Sequence, residues 1–164
     1  VRWSLLVSII GESQASKENS DLAEKLGGLL AQSGFTIVTG GLGGIMESVS
    51  RGAKKSGGTT IGILPGLHPT QANEWVDIPI CTGLWDARNL IVVRAGFAVV
   101  AIGGGYGTLP EIGHALSDRK PVVSLNSWEL VKQKEQDTGM IPVRTAEEAL
   151  NMVISIRSNK LQIG

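Results

Sequence analysis

Short apolar runs alternate with amphipathic helical patterns along the chain, and this alternation limits the folds that the chain can adopt. Residues 4–10 and 97–102 stay largely apolar at successive positions instead of alternating between apolar and polar. A strand with such a run is typically buried on both faces, as in a parallel sheet. Helices that separate strands of this kind cover the sheet on both sides. The sequence therefore predicts an α/β fold: a Rossmann-like three-layer sandwich with a mostly parallel sheet and helices on both faces.

The position of each element follows from local patterns. Leu22, Leu26 and Leu29 recur at helical spacing, which predicts a helix over residues 18–32 that ends before Gly34. Further strands are expected at residues 35–39, 59–64, 76–81, 121–125 and 140–143, and further helices at 45–55, 84–95, 109–118 and, capped by Thr145, up to 158. Residues 128–138 are charged and show neither pattern. Because no repeat or linker interrupts the alternation, residues 1–164 are predicted to form a single Rossmann-like domain.

Charge, cysteine and histidine content argue against several classes of function. Fifteen basic residues balance fifteen acidic ones, so the chain has no overall charge that would attract nucleic acid or an anionic membrane. Cys81, expected to be an inert buried thiol, is the only cysteine in the sequence, which favours a cytoplasmic location. The two histidines lie far apart, so no metal site is predicted. Any anionic ligand would have to be held by local structure.

Two glycine-rich loops follow predicted strands and lead into predicted helices. They read TGGLGGIME at residues 39–47 and GGGYGTLPE at residues 103–111. Glycine lets the backbone approach a ligand closely, and the free N–H groups at a helix start attract anions such as phosphate. Each loop alone could equally be a tight turn. In a parallel sheet, however, both loops lie at the same edge, which favours a shared ligand site.

Neither loop is one of the common nucleotide-binding motifs. Residues 41–46 lack the third glycine of the dinucleotide fingerprint, which belongs after the first strand, where this chain has GESQAS. An NAD-dependent oxidoreductase is therefore disfavoured. The chain also has no G-x-x-x-x-G-K-[ST] loop, which argues against an ordinary nucleoside triphosphatase.

Glu111 has two interpretations on the basis of spacing. Thr108 and Glu111 fit the capping box T-x-x-E, and Pro110 is compatible with a first helical turn. In that arrangement Glu111 only caps the helix. Alternatively, its carboxylate lies behind the glycine loop and faces a bound ligand. Spacing alone leaves both interpretations open.

The two glycine loops resemble the paired signatures of the family known as lysine decarboxylase-like, whose best-characterised branch is the cytokinin-activating LOG phosphoribohydrolases. Those enzymes carry G-G-x-x-G-x-M and P-G-G-x-G-T-x-x-E, and the similarity runs from IIGESQAS at residues 9–16 through GILP at 62–65 to KPVV at 120–123. The resemblance implies a nucleotide-binding domain that hydrolyses the N-glycosidic bond of a nucleoside 5′-monophosphate. It implies no required cofactor. The decarboxylase name would require pyridoxal phosphate, for which this chain shows no basis.

The resemblance also implies roles for individual residues. Arg88, in WDARN, matches an arginine that works with the glutamate matched by Glu111, so these two are the expected catalytic residues. Thr108 and the glycines before it would bind phosphate through N–H groups and a hydroxyl. The expected phosphate- and nucleotide-binding residues are Gly11, Ser13, Gly40, Gly41, Gly43, Gly44, Met46, Gly103, Gly104, Gly105, Tyr106, Gly107 and Thr108.

Some positions depart from the phosphoribohydrolase pattern. Where those enzymes read M-H-x-R-K, residues 85–89 read WDARN, and Gly103 replaces the proline of the second signature. These features also resemble the neighbouring branch that includes the algal molybdenum cofactor carrier protein. The alternative is therefore a non-catalytic carrier or sensor of a phosphorylated ligand such as molybdenum cofactor. Both branches imply a small-molecule ligand, no nucleic acid or membrane partner, and a homo-oligomer, either dimer or tetramer.

Overall fold

The computed structural model describes residues 5–163, with side chains described as far as residue 159. Within this part of the chain, seven parallel strands form one sheet. The strands are β1 (Leu6–Gly11), β2 (Thr36–Thr39), β3 (Thr60–Leu64), β4 (Ile78–Cys81), β5 (Ala98–Ile102), β6 (Val122–Leu125) and, after a small antiparallel ribbon of β7 (Val131–Lys132) and β8 (Glu135–Gln136), β9 (Met140–Val143). Their order in the sheet is β4-β3-β2-β1-β5-β6-β9. Each neighbouring pair is parallel. The predicted Rossmann-like α/β class is confirmed.

Helices cover both faces of this sheet. α1 (Lys17–Gln32), α2 (Ile45–Lys55) and α5 (Ala146–Ile163) pack over one face, and α3 (Asn89–Ala95) and α4 (Thr108–Ser117) over the other. In β5, Val100 and Ile102 belong to the first core cluster, whereas Val99 and Ala101 belong to the second. Successive side chains of a strand point to opposite faces, so burial of both faces explains the unbroken apolar run. None of the helices within residues 5–163 is both long and apolar enough to cross a bilayer.

Several elements differ locally from the predicted ones. The helix expected at 84–95 starts instead as a 3₁₀ turn, Trp85–Arg88, which Trp85 enters with a left-handed φ of 49°, and α3 follows it. Cys81 is exposed, not buried, because β4 is an edge strand. The charged segment at 128–138 contains the ribbon. The predicted cap of the last helix is confirmed, since the Glu148 N–H donates to Thr145 Oγ1 at 3.1 Å. The start of the first predicted strand, residue 4, lies outside the described residues.

α1 and α2 pack backbone to backbone at two glycines. A Cβ built on Gly52 would overlap the carbonyl group of Glu24, and one built on Gly27 would overlap the carbonyl group of Val49. Arg51 Nε also pairs with a Glu24 carboxylate oxygen at 2.9 Å across the same contact. Because α2 follows the first glycine loop directly, this contact fixes the position of that loop.

The strand order places a crevice between β1 and β5. β2, β3 and β4 extend the sheet from one side of β1, and β5, β6 and β9 extend it from the other. Open α/β sheets bind ligands at such a point of reversal, outside the carboxyl ends of the strands. Gly11, the last residue of β1, lies opposite Ile102, the last residue of β5. The loops that follow these strands therefore meet over the crevice.

Candidate functional site

A cleft of about 480 Å³ lies over the carboxyl ends of β1 and β5. Its walls come from the loop after β1, the first glycine loop with the start of α2, the turn Trp85–Arg88 with the start of α3, and the second glycine loop with the start of α4. The structure brings these predicted site residues together in the cleft: Gly11, Ser13, Met46, Arg88, Gly105, Gly107, Thr108 and Glu111. The cleft also contains residues that the sequence did not single out: Glu12, Gln14, Leu42, Asp86 and Asn89. Both glycine loops contribute to one site, although most of their residues do not line it.

The glycines of the first loop shape the cleft without lining it. Gly41 and Gly44 have left-handed φ angles of 73° and 66°, which residues with a side chain rarely adopt. Gly44 is also the N-cap of α2. Gly40 lies against the guanidinium group of Arg88, and a Cβ there would overlap it. Gly43 is open, because the nearest atom to a Cβ built on it is 3.7 Å away.

The second loop begins with two glycines of positive φ, and a network of side chains holds this part of the loop. Gly103 and Gly104 have φ angles of 57° and 116° and line a smaller cleft of about 330 Å³ beside the first. The Gly104 N–H donates to Glu12 Oε2 at 3.0 Å, and Asn19 Nδ2 donates to Glu12 Oε1 at 2.8 Å. Asn126 Nδ2 in turn donates to Asn19 Oδ1 at 2.6 Å. The N–H of Gly104, predicted to face phosphate, is therefore already occupied by a carboxylate.

Glu12, Asn19 and Asn126 are functional candidates that the sequence did not reveal. Glu12 follows β1 directly, at the crevice, so its position in the predicted topology was an available signal. Asn19 lies in α1 and Asn126 follows β6, and no local pattern connects them to the second glycine loop. Only the folded chain brings them together.

The start of α4 leaves backbone donors free. Gly107 is its N-cap and no side chain caps it, so the predicted capping box of Thr108 and Glu111 is wrong. Thr108 is already the first helical residue, and its N–H donates to the Gly105 carbonyl at 3.1 Å. Within residues 5–163, the N–H groups of Gly105, Tyr106 and Gly107 have no protein acceptor. These three N–H groups lie at the positive end of the helix dipole and are free to donate to an anion. The Tyr106 side chain is 85% exposed, and its ring centroid lies 5.8 Å from that of Trp128.

Glu111 lies in the first turn of α4 and is buried, with 8% of its surface exposed. Burial raises the pKa of its carboxyl group to about 7, because a desolvated charge is unfavourable, and the positive charge of Arg88 opposes this shift only in part. Glu111 thus changes its protonation state near neutral pH instead of serving as a helix cap.

Arg88 ends the turn Trp85–Arg88 and is equally buried, with 7% exposed. Burial lowers the pKa of its guanidinium group, while the charges of Glu111 and Asp86 raise it. Of the ion pairs within 4 Å among the described residues, none involves Arg88, and its Nε has no hydrogen-bond partner. A buried arginine with an unpaired donor is costly to the fold and can bind an anion strongly.

The contact between Gly40 and Arg88 gives a prediction with a matched control. In Gly40→Ala the new methyl group must displace the guanidinium group, so ligand affinity should fall about tenfold or more while the fold persists. Gly43→Ala, three residues away, has room for its methyl group and should bind as the original protein does. Titration calorimetry with ribose 5-phosphate measures both, and equal affinity in the two variants would contradict the prediction.

The buried carboxyl of Glu111 also predicts how stability varies with pH. Its folded pKa of about 7 lies above the unfolded value of 4.5, so the folded state retains a proton that the unfolded chain loses. The free energy of unfolding therefore falls as pH rises from 4.5 through 7. Gln has no carboxyl group to ionise, so Glu111→Gln does not lose stability in this way. The free energy of unfolding of Glu111→Gln, relative to that of the original protein, should therefore rise by about 2–3 kcal/mol between pH 5 and pH 8. Urea unfolding at both pH values measures the difference, and a constant difference would refute the assignment.

The described residues of the cleft do not form a metal-binding cluster. Among the residues that the structure describes, no group of three or more His, Cys, Asp or Glu side chains is arranged to hold a metal ion. Both His68 and His114 are exposed. The cleft contains free backbone N–H groups, the guanidinium group of Arg88 and the carboxyl groups of Glu12, Asp86 and Glu111.

Comparison with known sequences relates this chain to a protein family. A sequence model of the SLOG cluster4 family matches residues 4–150, which include both glycine loops, Arg88 and Glu111. The chain belongs to the SLOG cluster4 family. The relationship to LOG-like proteins that the two signatures indicated is confirmed.

This SLOG cluster4 chain has relatives of similar length among characterised and uncharacterised proteins. An uncharacterised protein from Archaeoglobus fulgidus is 38% identical to it over 149 residues, which are 91% of this chain and 94% of the relative. A cytokinin riboside 5′-monophosphate phosphoribohydrolase from Mycobacterium marinum is 30% identical over 169 aligned positions, covering 93% of this chain and 88% of that enzyme.

Solved structures show the same fold. The molybdenum cofactor binding protein of Rippkaea orientalis superimposes with a TM-score of 0.83 at 35% identity, over 92% of this chain and 96% of that one. The molybdenum cofactor carrier protein of Chlamydomonas reinhardtii superimposes with a TM-score of 0.83 at 31% identity, over 93% and 98%. The SLOG cluster4 chain thus resembles both branches that its sequence suggested.

Proposed function

We propose that this chain binds a nucleoside 5′-monophosphate in the cleft over β1 and β5 and hydrolyses its N-glycosidic bond. The observation that carries the proposal is the pair of buried groups, Glu111 with a pKa of about 7 and Arg88 with an unpaired Nε. A carboxyl group that titrates near the working pH is suited to acid–base catalysis. The similarity to the Mycobacterium marinum phosphoribohydrolase supports the same reaction.

The phosphate of the nucleotide binds at the start of α4. The N–H groups of Gly105, Tyr106 and Gly107 donate to its oxygens, and the Thr108 hydroxyl is a further donor. Arg88, which lines the same cleft, supplies a positive charge. The ribose then lies between the two glycine loops with its C1′ atom near Glu111.

The reaction uses the side chains of the cleft and no cofactor. A water oxygen bonds to C1′ while the bond from C1′ to the base nitrogen breaks, and the electron pair of that bond leaves with the base. The ionised Glu111 carboxylate stabilises the positive charge that develops on the sugar ring and accepts a proton from the water. Arg88 favours that ionised form. The base takes up a proton, and the products are the free base and ribose 5-phosphate.

The test is to incubate the purified protein with a panel of nucleoside 5′-monophosphates and to measure free base by chromatography. Base release from at least one nucleotide, lost in Glu111→Ala and Arg88→Ala while circular dichroism shows an intact fold, is the expected result. Absence of release from every member of the panel would refute the proposed reaction.

A second candidate function is a non-catalytic carrier of molybdenum cofactor. Two observations favour it: the structural similarity to the Rippkaea orientalis and Chlamydomonas reinhardtii proteins, and the sequence WDARN at 85–89, which lacks the histidine and lysine of the phosphoribohydrolase pattern. The same cleft would hold the phosphate of that ligand. Retention of a phosphorylated pterin through gel filtration, together with no base release from any nucleotide, would support the carrier.

We also propose a domain organisation and an oligomeric state for the chain. We expect a single cytoplasmic nucleotide-binding domain that forms a homo-oligomer. Large apolar side chains are exposed around the edge strand and the turn before α3, including Ile78, Ile80, Leu84 and Trp85. Exposed apolar patches of this kind are typical of protein interfaces. Light scattering on the purified protein distinguishes a dimer or tetramer from a monomer.

A further inference from the structure

A further cleft, of about 470 Å³, adjoins the first between the turn Trp85–Arg88, α3 and α4. It is distinct from the cleft of about 330 Å³ at Gly103 and Gly104 and is called the second cleft below. The two clefts share Glu111, Asp86, Asn89 and Gly107. Their other residues differ in chemistry. The first cleft alone contains Arg88 and the loop after β1, whereas the second alone contains Ala87, Leu90, Pro110 and His114. One compartment is thus suited to an anion, and its neighbour is largely apolar.

We infer that this second cleft binds the heterocyclic base of the nucleotide, so that the N-glycosidic bond lies beside Glu111, where the two clefts meet. This inference rests on the proposed function. A nucleoside monophosphate has the same division as the two clefts, with a dianionic phosphate at one end and, at the other, a flat ring that has apolar faces and a polar edge. A volume of 470 Å³ lies within the range of roughly 300–1,000 Å³ that is typical of small-molecule sites.

The polar side chains of the second cleft fit the edge of a base. Asn89 is half-buried and carries both a hydrogen-bond donor and an acceptor, and His114 offers one of each in its neutral form. Leu90 and Pro110 supply apolar surface for the ring faces. His114 follows Glu111 by one helical turn, so a base bound against His114 keeps its glycosidic nitrogen close to the Glu111 carboxylate.

Two variants that fill the second cleft from opposite walls test the inference. Ala87→Phe fills it from the 3₁₀ turn and His114→Phe from α4, and both positions are exposed, so the larger side chains are compatible with the fold. Ser117→Phe is the matched control, because Ser117 is exposed on the same helix and lines neither cleft. Calorimetric titrations use adenosine 5′-monophosphate, which carries a base, and ribose 5-phosphate, which does not.

In the expected result, both cleft variants weaken binding of adenosine 5′-monophosphate about tenfold or more and leave binding of ribose 5-phosphate within about twofold. The control binds both probes as the original protein does. If hydrolysis is absent but this affinity pattern holds, the proposed reaction fails and the base subsite stands.

Three other results would overturn the inference. In the first, the cleft variants leave the affinity for adenosine 5′-monophosphate unchanged or weaken both probes equally. In the second, the original protein binds the two probes with the same affinity or binds neither. In the third, light scattering shows that the cleft variants change the oligomeric state without changing nucleotide affinity, which would assign the cleft to a second copy of the chain.

Discussion

Replacing Glu111 with Gln should lower the rate of base release by about a hundred- to ten-thousandfold, which is the usual loss when an acid–base group is removed. Gln has nearly the same size and keeps the hydrogen-bonding oxygen, but it can neither accept a proton nor stabilise a positive sugar ring with a charge. Because Gln fills the same buried space and Glu111 caps no backbone group, the fold should survive the change. Steady-state kinetics on the best nucleotide of the panel measure the loss in kcat.

A matched control and a double variant make this result specific. Glu18→Gln removes an exposed carboxylate in the first turn of α1 that lines neither cleft, and should leave kcat unchanged. Groups that act together in one step are not additive, so Glu111→Gln combined with Arg88→Ala should be little worse than the more damaging single variant. A Glu111→Gln protein that retains kcat within about threefold would show that Glu111 positions the ligand without taking part in the reaction.

Gly52→Ala should destabilise the protein by about 3 kcal/mol or more, the largest loss of stability that we expect from a single methyl group here. The new Cβ would overlap the Glu24 carbonyl group, and the backbone of α1 cannot rotate away as a side chain could. The helices must move apart, which loosens the packing around Val49 and Leu26 in the core. Urea unfolding followed by circular dichroism measures the change.

Gly113→Ala is the matched control for this substitution. Gly113 also lies inside a helix, but no atom lies within 4 Å of a Cβ built on it. There the alanine should stabilise the protein by up to about 1 kcal/mol, because glycine costs a helix conformational entropy. If Gly52→Ala and Gly113→Ala changed stability in the same direction, the close contact between α1 and α2 would not explain why position 52 requires glycine.

The fold was predictable because its main signal is local. The largely apolar runs of β1 and β5 required burial on both faces, and a parallel sheet between two helix layers is the architecture that provides it. The sequence predicted the strand β4 but not its exposed position at the edge of the sheet, because strand order depends on contacts between distant segments. The left-handed Trp85, at the start of the 3₁₀ turn that precedes α3, has no signature in the sequence.

The candidate site was predicted in part. Arg88, Glu111, Gly105 and Thr108 share one cleft, as the two signatures suggested. At the start of α4 the spacing T-x-x-E resembles a capping box, but the helix has no side-chain cap. The contact of Glu12 with Gly104 joins residues from two different loops. Such a contact follows from the folded arrangement of β1 and β5, not from any local pattern.

The central position of β1 has a consequence for how the chain is made. Three strands, β2, β3 and β4, and the helical segments between them separate β1 from its neighbour β5 in the sequence. The ribosome therefore synthesises β1 well before β5. Until residues 98–102 emerge, one edge of β1 has no partner, and an open edge is prone to pair with other chains. The cleft over β1 and β5 is completed only when this pairing occurs. A ligand that binds there therefore selects chains whose two halves have joined, and it stabilises the finished molecule against the nascent one.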